Sequence, residues 1–275
     1  MRVGVCLPQF TDDAELVERA AVEVEELGYD AVSFFDHLVP LGGPPERPIL
    51  ECFTALTWIA ARTSRVRVLP LVARAALRTP AMYAHLATTL HRLAGDRLVL
   101  AFGAGDKANE AEDASIGLPV LSQEERRDRL AAVVTAVRAA VPGVPVWVGG
   151  TSARTLELAG QVADGWNVWG VTPEQVRAGA HVVADAAAAA GRVAPVTTWA
   201  GQVVLAATAD EATERHGAWA GGRGDVATVH GDPTAVLAGM RALGDAGVSD
   251  ALLSFVGGGA ADQRRLFARE VLPHL

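Results

Sequence analysis

The amino-acid sequence predicts an α/β fold of the closed parallel-barrel class, the (β/α)₈ TIM barrel, and three observations predict it. Short, nearly continuous apolar runs recur along the whole chain, which is how strands covered on both faces read. Amphipathic stretches with their own start and stop signals separate the runs, giving eight strand–helix units in 275 residues. An open doubly wound sheet, the competing arrangement, would carry G-x-G-x-x-G after its first strand, but Pro8-Gln9-Phe10-Thr11 stands there instead. No linker or shift in composition marks a second domain, so residues 1–275 read as a single barrel domain.

The strand candidates are residues 3–7, 31–35, 66–72, 97–102, 144–148, 165–169, 202–206 and 251–256. Asp12 with Glu15 reads as a capping box before an apolar stripe from Leu16 to Leu27, which Gly28 ends. Thr79-Pro80 is an N-cap with proline at the first helical position, and Gly95 closes that helix. Ser122 and Glu125 form a further capping box. Thr172-Pro173 and Asp232-Pro233 open two more helices, with stops near Gly191 and Gly247. The alanine-rich stretch 184–190 reads as the end of one of them, since alanine is the best helix former.

Composition narrows the function classes. Half the residues are hydrophobic and the mean hydropathy is positive, enough for a large core. The net charge of −8, with basic residues scattered along the sequence, argues against a nucleic-acid or anionic-membrane surface. Cys6 and Cys52 lack metal-ligand spacing and make no disulfide framework, so no metal is expected and a reducing, cytoplasmic setting is. The apolar opening that ends at Pro8 is too short for a secretory core. The longest uncharged run, 193–209, is interrupted by Pro195, Thr197, Thr198, Gly201 and Gln202 and reads as no membrane span.

In a closed barrel the site is built from the loops that follow the strands. Those loops collect the polar, glycine-rich and titratable residues: Gln9 and Phe10; Asp36-His37 with a proline- and glycine-rich loop to Leu50; Leu71 to Arg74; Gly103 to Glu110; Gly149 to Ser152; Trp169; and Gly257 to Gly259. The opposite end holds ordinary turns such as Gly28-Tyr29-Asp30. At the mouth, His37 can carry a proton with Asp36 orienting it, or Asp36 simply caps and His37 meets a backbone group. The loop 103–110 lets backbone approach a ligand and offers Asp106, Asn109 and Glu110, or it is a solvated turn with capping acids. Gly149, Gly150, Thr151 and Ser152 open a helix and suit a cofactor phosphate, or form a plain glycine turn with an N-cap. Trp169 is the tryptophan to place near a flat ligand, while His85 and His91 on one helix read as structural. No G-x-S-x-G elbow suggests a serine hydrolase.

Motifs run through most of the chain: the opening strand ending in Leu7-Pro8, the run from Leu27 to His37, and the segment from Ala60 through Thr63, Arg67 and Pro80 to Leu90. The run Gly95 to Gly105, Asn109-Glu110, Val146 to Gly150, Leu158-Ala159 and Ala163 to Asn167 continue the pattern. Together these motifs resemble the luciferase-like monooxygenase family, above all its coenzyme F420-dependent branch. The resemblance implies an oxidoreductase moving a hydride between coenzyme F420 and a small organic substrate, with an FMN-dependent monooxygenase as the alternative. A non-catalytic cofactor-binding barrel is the alternative of another class. A phosphate-substrate aldolase or isomerase would want a strand-end lysine, and the only lysine, Lys107, lies in the glycine-rich loop.

By the same resemblance His37 faces the reactive ring, Asp106 acts as acid or base, and Asp36 and Asn109 touch the cofactor. Leu71, Val72, Ala73, Ala104 and Gly105 lie against it, with a non-prolyl cis peptide near Leu71–Val72. Gly149, Gly150, Thr151 and Ser152 hold its phosphate, and the protein is a homodimer. Three departures stand out. Asp106 is a methylene shorter than the family's glutamate, the stretch 138–144 is shorter than the family's insertion, and no row of basic residues suggests a sugar-phosphate substrate.

Overall fold

The structure, a computed structural model, describes residues 1–40, 46–220 and 227–275. Part of the loop between Val39 and Leu50, residues 41–45, lies outside the described residues. In chain order the strands are β1 (Arg2–Cys6), β2 (Ala31–Phe34), β3 (Arg67–Pro70), β4 (Ala73–Arg74) and β5 (Leu100–Gly103). There follow β6 (Val146–Gly149), β7 (Gly165–Trp169), β8 (Val196–Leu205), β9 (Thr228–Gly231) and β10 (Val248–Phe255). All pair in parallel, in the order β3-β2-β1-β10-β8-β7-β6-β5-β4. The ring closes because β4 continues the line of β3 and pairs β5, while Val68 bridges Leu98 at the lower end. The result is a parallel barrel of eight staves, as the sequence predicts.

The helices around it are α1 (Ala14–Glu26), α2 (Cys52–Arg62), α3 (Pro80–Ala94), α4 (Glu110–Ser115) and α5 (Gln123–Ala140). They continue with α6 (Ala153–Val162), α7 (Pro173–Ala189), α8 (Ala209–Ala220), α9 (Pro233–Asp245) and α10 (Ala260–Glu270). Among the described residues no helix is long and apolar enough to cross a membrane. Two apolar layers hold the fold. The larger lies between sheet and helices, where Val17, Leu56, Leu90, Val133, Val176 and Phe267 are buried against the outward faces of the strands. The smaller fills the barrel with Ala31, Leu69, Val99, Ala101, Trp147 and Leu252. Burying each large apolar side chain contributes about 1.5–3 kcal/mol.

Local signals mostly act as their chemistry dictates. Thr79, Ser122, Thr172 and Asp232 cap α3, α5, α7 and α9, each side chain accepting from the backbone N–H three residues on. The first helix departs from expectation. Its cap is Asp13, not Asp12, because Asp13 Oδ1 is the oxygen that reaches Leu16 N, at 2.9 Å, and Glu15 then lies in the first turn. The predicted strand 66–72 is shorter in the structure, where β3 ends at Pro70; Leu71 and Val72, joined by a cis peptide, lie between it and β4. The seventh stave begins at Val196 rather than at residue 202, since Thr197, Thr198 and Trp199 already pair with β7. The added strand β9 runs beside residues 202–205 of β8, above the end of β7.

Candidate functional site

The C-terminal ends of the strands open into one large cleft of about 1750 Å³. Strand geometry decides what each stave contributes. Beyond β2 the consecutive residues Asp36 and His37 point apart, as successive side chains on extended backbone do. Asp36 turns away from the cleft and is 1% exposed. It accepts a bidentate pair from Arg78 at 2.8 and 3.0 Å, the Arg74 backbone N–H at 3.0 Å and the Tyr83 hydroxyl at 3.3 Å. Asp36 therefore neither lines the cleft nor orients His37, contrary to the pairing suggested by their adjacency.

His37 lines the cleft, and its partner is Glu112 of α4, whose Oε2 lies 2.8 Å from Nδ1. Glu112 Oε1 accepts the Leu38 N–H at 2.5 Å, and its other oxygen also pairs with Arg74, which binds Asp113 with the second arm of its guanidinium. Burial by itself raises the Glu112 carboxyl. The hydrogen bonds from His37 and Leu38 and the charges of His37 and Arg74 outweigh that, holding it below the ordinary carboxylate range. An ionised carboxylate only accepts, so Nδ1 carries the proton and Nε2 is left for whatever enters the cleft.

The next wall is a ledge of backbone. Val72 stands against Gly103 at the end of β5 and Gly149 at the end of β6. A Cβ on Gly103 would lie 2.7 Å from Val72 Cγ2, and one on Gly149 would lie 3.0 Å from Val72 Cγ1. Leu71, Ala104 and Gly105 line the cleft beside this ledge, whereas Ala73 is buried in the β4–β5 pairing and does not. Asp106 lies exposed on the rim, and its backbone N–H donates to Asn109 Oδ1 at 2.9 Å, so Asn109 shapes the loop that presents Asp106.

Gly149, Gly150, Thr151 and Ser152 lead into α6 and all line the cleft. Ser152 caps α6 by accepting from Thr155 N and shares a 2.7 Å hydrogen bond with the Thr155 hydroxyl. Gly150 N–H is used by Asn167 O, but the N–H groups of Thr151, Ser152 and Ala153 donate to no group among the described residues. Exposed helix-start donors of this kind favour an anion. Arg126, Arg127 and Arg154 line the cleft as well, and Arg127 and Arg154 also border a smaller hollow of about 420 Å³ between α5 and α6. The neighbouring pair Arg126–Arg127 on α5 and the distant Arg154 on α6 thus share one cleft. Helix packing decides this, and no local signal announces it.

Two further features matter. Arg74 Nε is buried without a partner among the described residues, in a side chain that lines the cleft. Cys6 also lines it, and burial pushes its thiol up to about 12. Of the residues expected at the site, His37, Leu71, Val72, Ala104, Gly105, Asp106, Asn109, Gly149, Gly150, Thr151 and Ser152 converge on the cleft, while Asp36 and Ala73 stand behind its wall. Glu112 and the three arginines are the residues that sequence patterns missed.

Fold and cleft together define a (β/α)₈ barrel whose large cleft opens at the C-terminal face of its sheet. The luciferase-like monooxygenase family profile matches residues 1–143 and 132–257, and the chain belongs to that family. The F420-dependent glucose-6-phosphate dehydrogenase of Kineococcus radiotolerans is 34% identical over 123 residues, 43% of this chain and 34% of the relative, so the match spans about a third of that relative's length. An F420-dependent secondary alcohol dehydrogenase in complex with an F420–acetone adduct superposes with a TM-score of 0.84 at 16% identity, covering 99% of both chains. The oxygenating constituent of 3,6-diketocamphane monooxygenase from Pseudomonas putida, solved with FMN, gives 0.79 at 15% identity, covering 100% of this chain and 99% of that one. The F420-dependent tetrahydromethanopterin reductase of Methanopyrus kandleri gives 0.75 at 19%, with 100% and 99% covered. At such identities these likenesses speak for the fold.

Proposed function

We propose that this protein, acting as one barrel domain over residues 1–275, is an oxidoreductase that exchanges a hydride between coenzyme F420 and a small organic substrate. The observation that carries the reading is the His37 imidazole, held at the barrel mouth by Glu112 beside the ledge of Val72, Gly103 and Gly149. A barrel that only stored a cofactor would have no use for a proton-bearing ring locked in that way.

The residues present fit the cofactor. A flat ring system suits the ledge, where Val72 packs down onto Gly103 and Gly149 and no larger side chain stands between them. Its phosphate suits the open N–H groups of Thr151, Ser152 and Ala153, with Arg154 beside them and with Arg126 and Arg127, which pair with Glu110 and with Glu124 and Asp128, adding positive charge to the same cleft. When bound, coenzyme F420 supplies or accepts the hydride. The protein's own part is placement and proton handling. Glu112 keeps His37 in the Nδ1–H tautomer, Nε2 gives or takes the substrate's proton, and Asp106 is a second proton carrier on the rim. The three arginines serve the phosphate end, so the reading requires no phosphorylated substrate. A homodimer in the cytoplasm is part of the same proposal.

FMN is the second reading, favoured by the FMN-bound structure among those of the same fold. Titrating cofactor-free protein with each compound, followed by calorimetry, separates the two. Binding of F420 without FMN supports the proposal; tight FMN binding without F420 reverses it.

A further inference from the structure

The cleft is larger than one ligand needs. Pockets for single small molecules run to roughly 300–1,000 Å³, against about 1750 Å³ here. A pair of aromatic rings spans the cleft. Phe35 follows β2 and Trp169 ends β7, staves that lie opposite each other in the ring order. Yet their side chains meet edge to face, with centroids 5.4 Å apart and planes at 76°. Phe35 is held in place from below, because the buried Gln9 amide accepts its N–H at 2.5 Å and donates to its carbonyl at 2.8 Å. On the β3–β6 side of this bridge lie the ledge and the anion site. On the β8–β10–β1 side the same cleft has a different lining.

That side is aromatic and free of acids. Aromatic residues make up 5% of the chain, yet Phe10, Phe35, Trp169, Trp219 and Phe255 all line it. Among the described residues no aspartate or glutamate lines this half, in a protein whose net charge is −8. Arg47 stands at its edge, Nε donating to Phe10 O at 3.0 Å and the guanidinium carbon 5.4 Å from the Phe10 ring centre. Arg47 makes no ion pair among the described residues. A planar guanidinium with open N–H groups matches a carboxylate in two-point fashion.

We infer that the β8–β10–β1 half of the cleft is the organic substrate's chamber and takes a planar conjugated carboxylate, its flat body against Phe10, Phe35 and Trp169 and its carboxylate on Arg47. Calling the occupant a substrate rests on the function proposed above. Its binding does not need the cofactor.

The test uses cofactor-free protein and calorimetry with 2-naphthoate and its neutral counterpart 2-naphthamide. Naphthoate should bind at least about tenfold more tightly than the amide. Arg47→Gln should bring the two within about twofold, and Trp169→Leu should weaken both about tenfold. Both side chains are exposed at the mouth, so neither change threatens folding. Equal binding of the two probes, no binding of either, or a preference that survives Arg47→Gln and disappears in Arg154→Gln would overturn the inference. F420 titrated into the wild type and both variants keeps the two proposals apart. Loss of F420 binding in the wild type defeats the cofactor reading alone, whereas intact F420 binding with indifferent naphthoate binding defeats the chamber alone.

Discussion

His37 and Glu112, 75 residues apart in the chain, meet at 2.8 Å between Nδ1 and Oε2, with 16% and 5% of their side chains exposed. The pair is a half-buried imidazole held by a carboxylate that also pins the Leu38 backbone and Arg74. Glu112 therefore acts through His37, as a positioning residue. Glu112→Gln keeps the size and an accepting oxygen but loses the charge. Turnover with F420 should fall about tenfold, with the cofactor Kd changed less than about threefold, while His37→Ala should cost about a hundredfold or more. Steady-state kinetics and a cofactor titration check both. An unchanged kcat in His37→Ala would remove the proton-handling role.

The ledge predicts a steric effect. Gly103→Ala places a Cβ 2.7 Å from Val72 Cγ2, a distance at which something must shift. The substitution should cost about 1–3 kcal/mol in stability and weaken F420 binding. Adding Val72→Ala should return most of the stability, because it removes the methyl group that collides. Chemical denaturation of the single and double variants measures this, and strict additivity of the two costs would count against the contact.

At the start of α6, Ser152→Ala removes the cap on Thr155 N and should lower stability by about 1 kcal/mol. It leaves the three open N–H groups in place, so F420 affinity should change little. Arg154→Gln should do the reverse, sparing stability and weakening F420 binding, with the loss shrinking as salt rises. Thermal melts and titrations at two ionic strengths separate the two.

The bottom of the barrel carries a pH prediction. Asp250 on β10 is 1% exposed and bonds Arg2 at 2.8 Å and Arg67 at 2.5 Å, tying the starts of β1 and β3 to β10. Burial raises its carboxyl, but the hydrogen bond from Arg2, the charge of Arg67 and the hydrogen bonds from Ser249 and Arg67 hold it below the ordinary range. A depressed folded-state value means the stabilisation is complete above the unfolded carboxylate value and is lost as pH falls through the folded one. Asp250→Asn should cost about 3 kcal/mol at pH 7, and the gap to the wild type should narrow in acid, below the ordinary carboxylate range. Urea unfolding at neutral and acid pH tests it; a gap that widens in acid contradicts the sign.

Most of the framework was legible because each strand–helix unit is specified locally. The caps Thr79, Ser122, Thr172 and Asp232 act on N–H groups three residues away, a distance a linear pattern can express. The mouth was legible for a related reason. In a parallel barrel whatever follows a strand lies at one end, so His37, the loop 103–110 and the turn into α6 could be assigned to it from order alone. Adjacency misleads where the backbone is extended. Asp36 was paired with His37 by adjacency, but alternation along extended backbone sends it to Arg78 instead.

From residue order alone come the alternation of strand and helix, the identity of the rim residues and the cap chemistry, all consequences of forces acting over a few residues. Ring closure supplied the rest. It brought Glu112 to His37, gathered Arg126, Arg127 and Arg154 in one cleft, and set Phe35 against Trp169 across the mouth. Such contacts join residues far apart in the chain, and only the packing of sheet and helices into a closed barrel sets their distances.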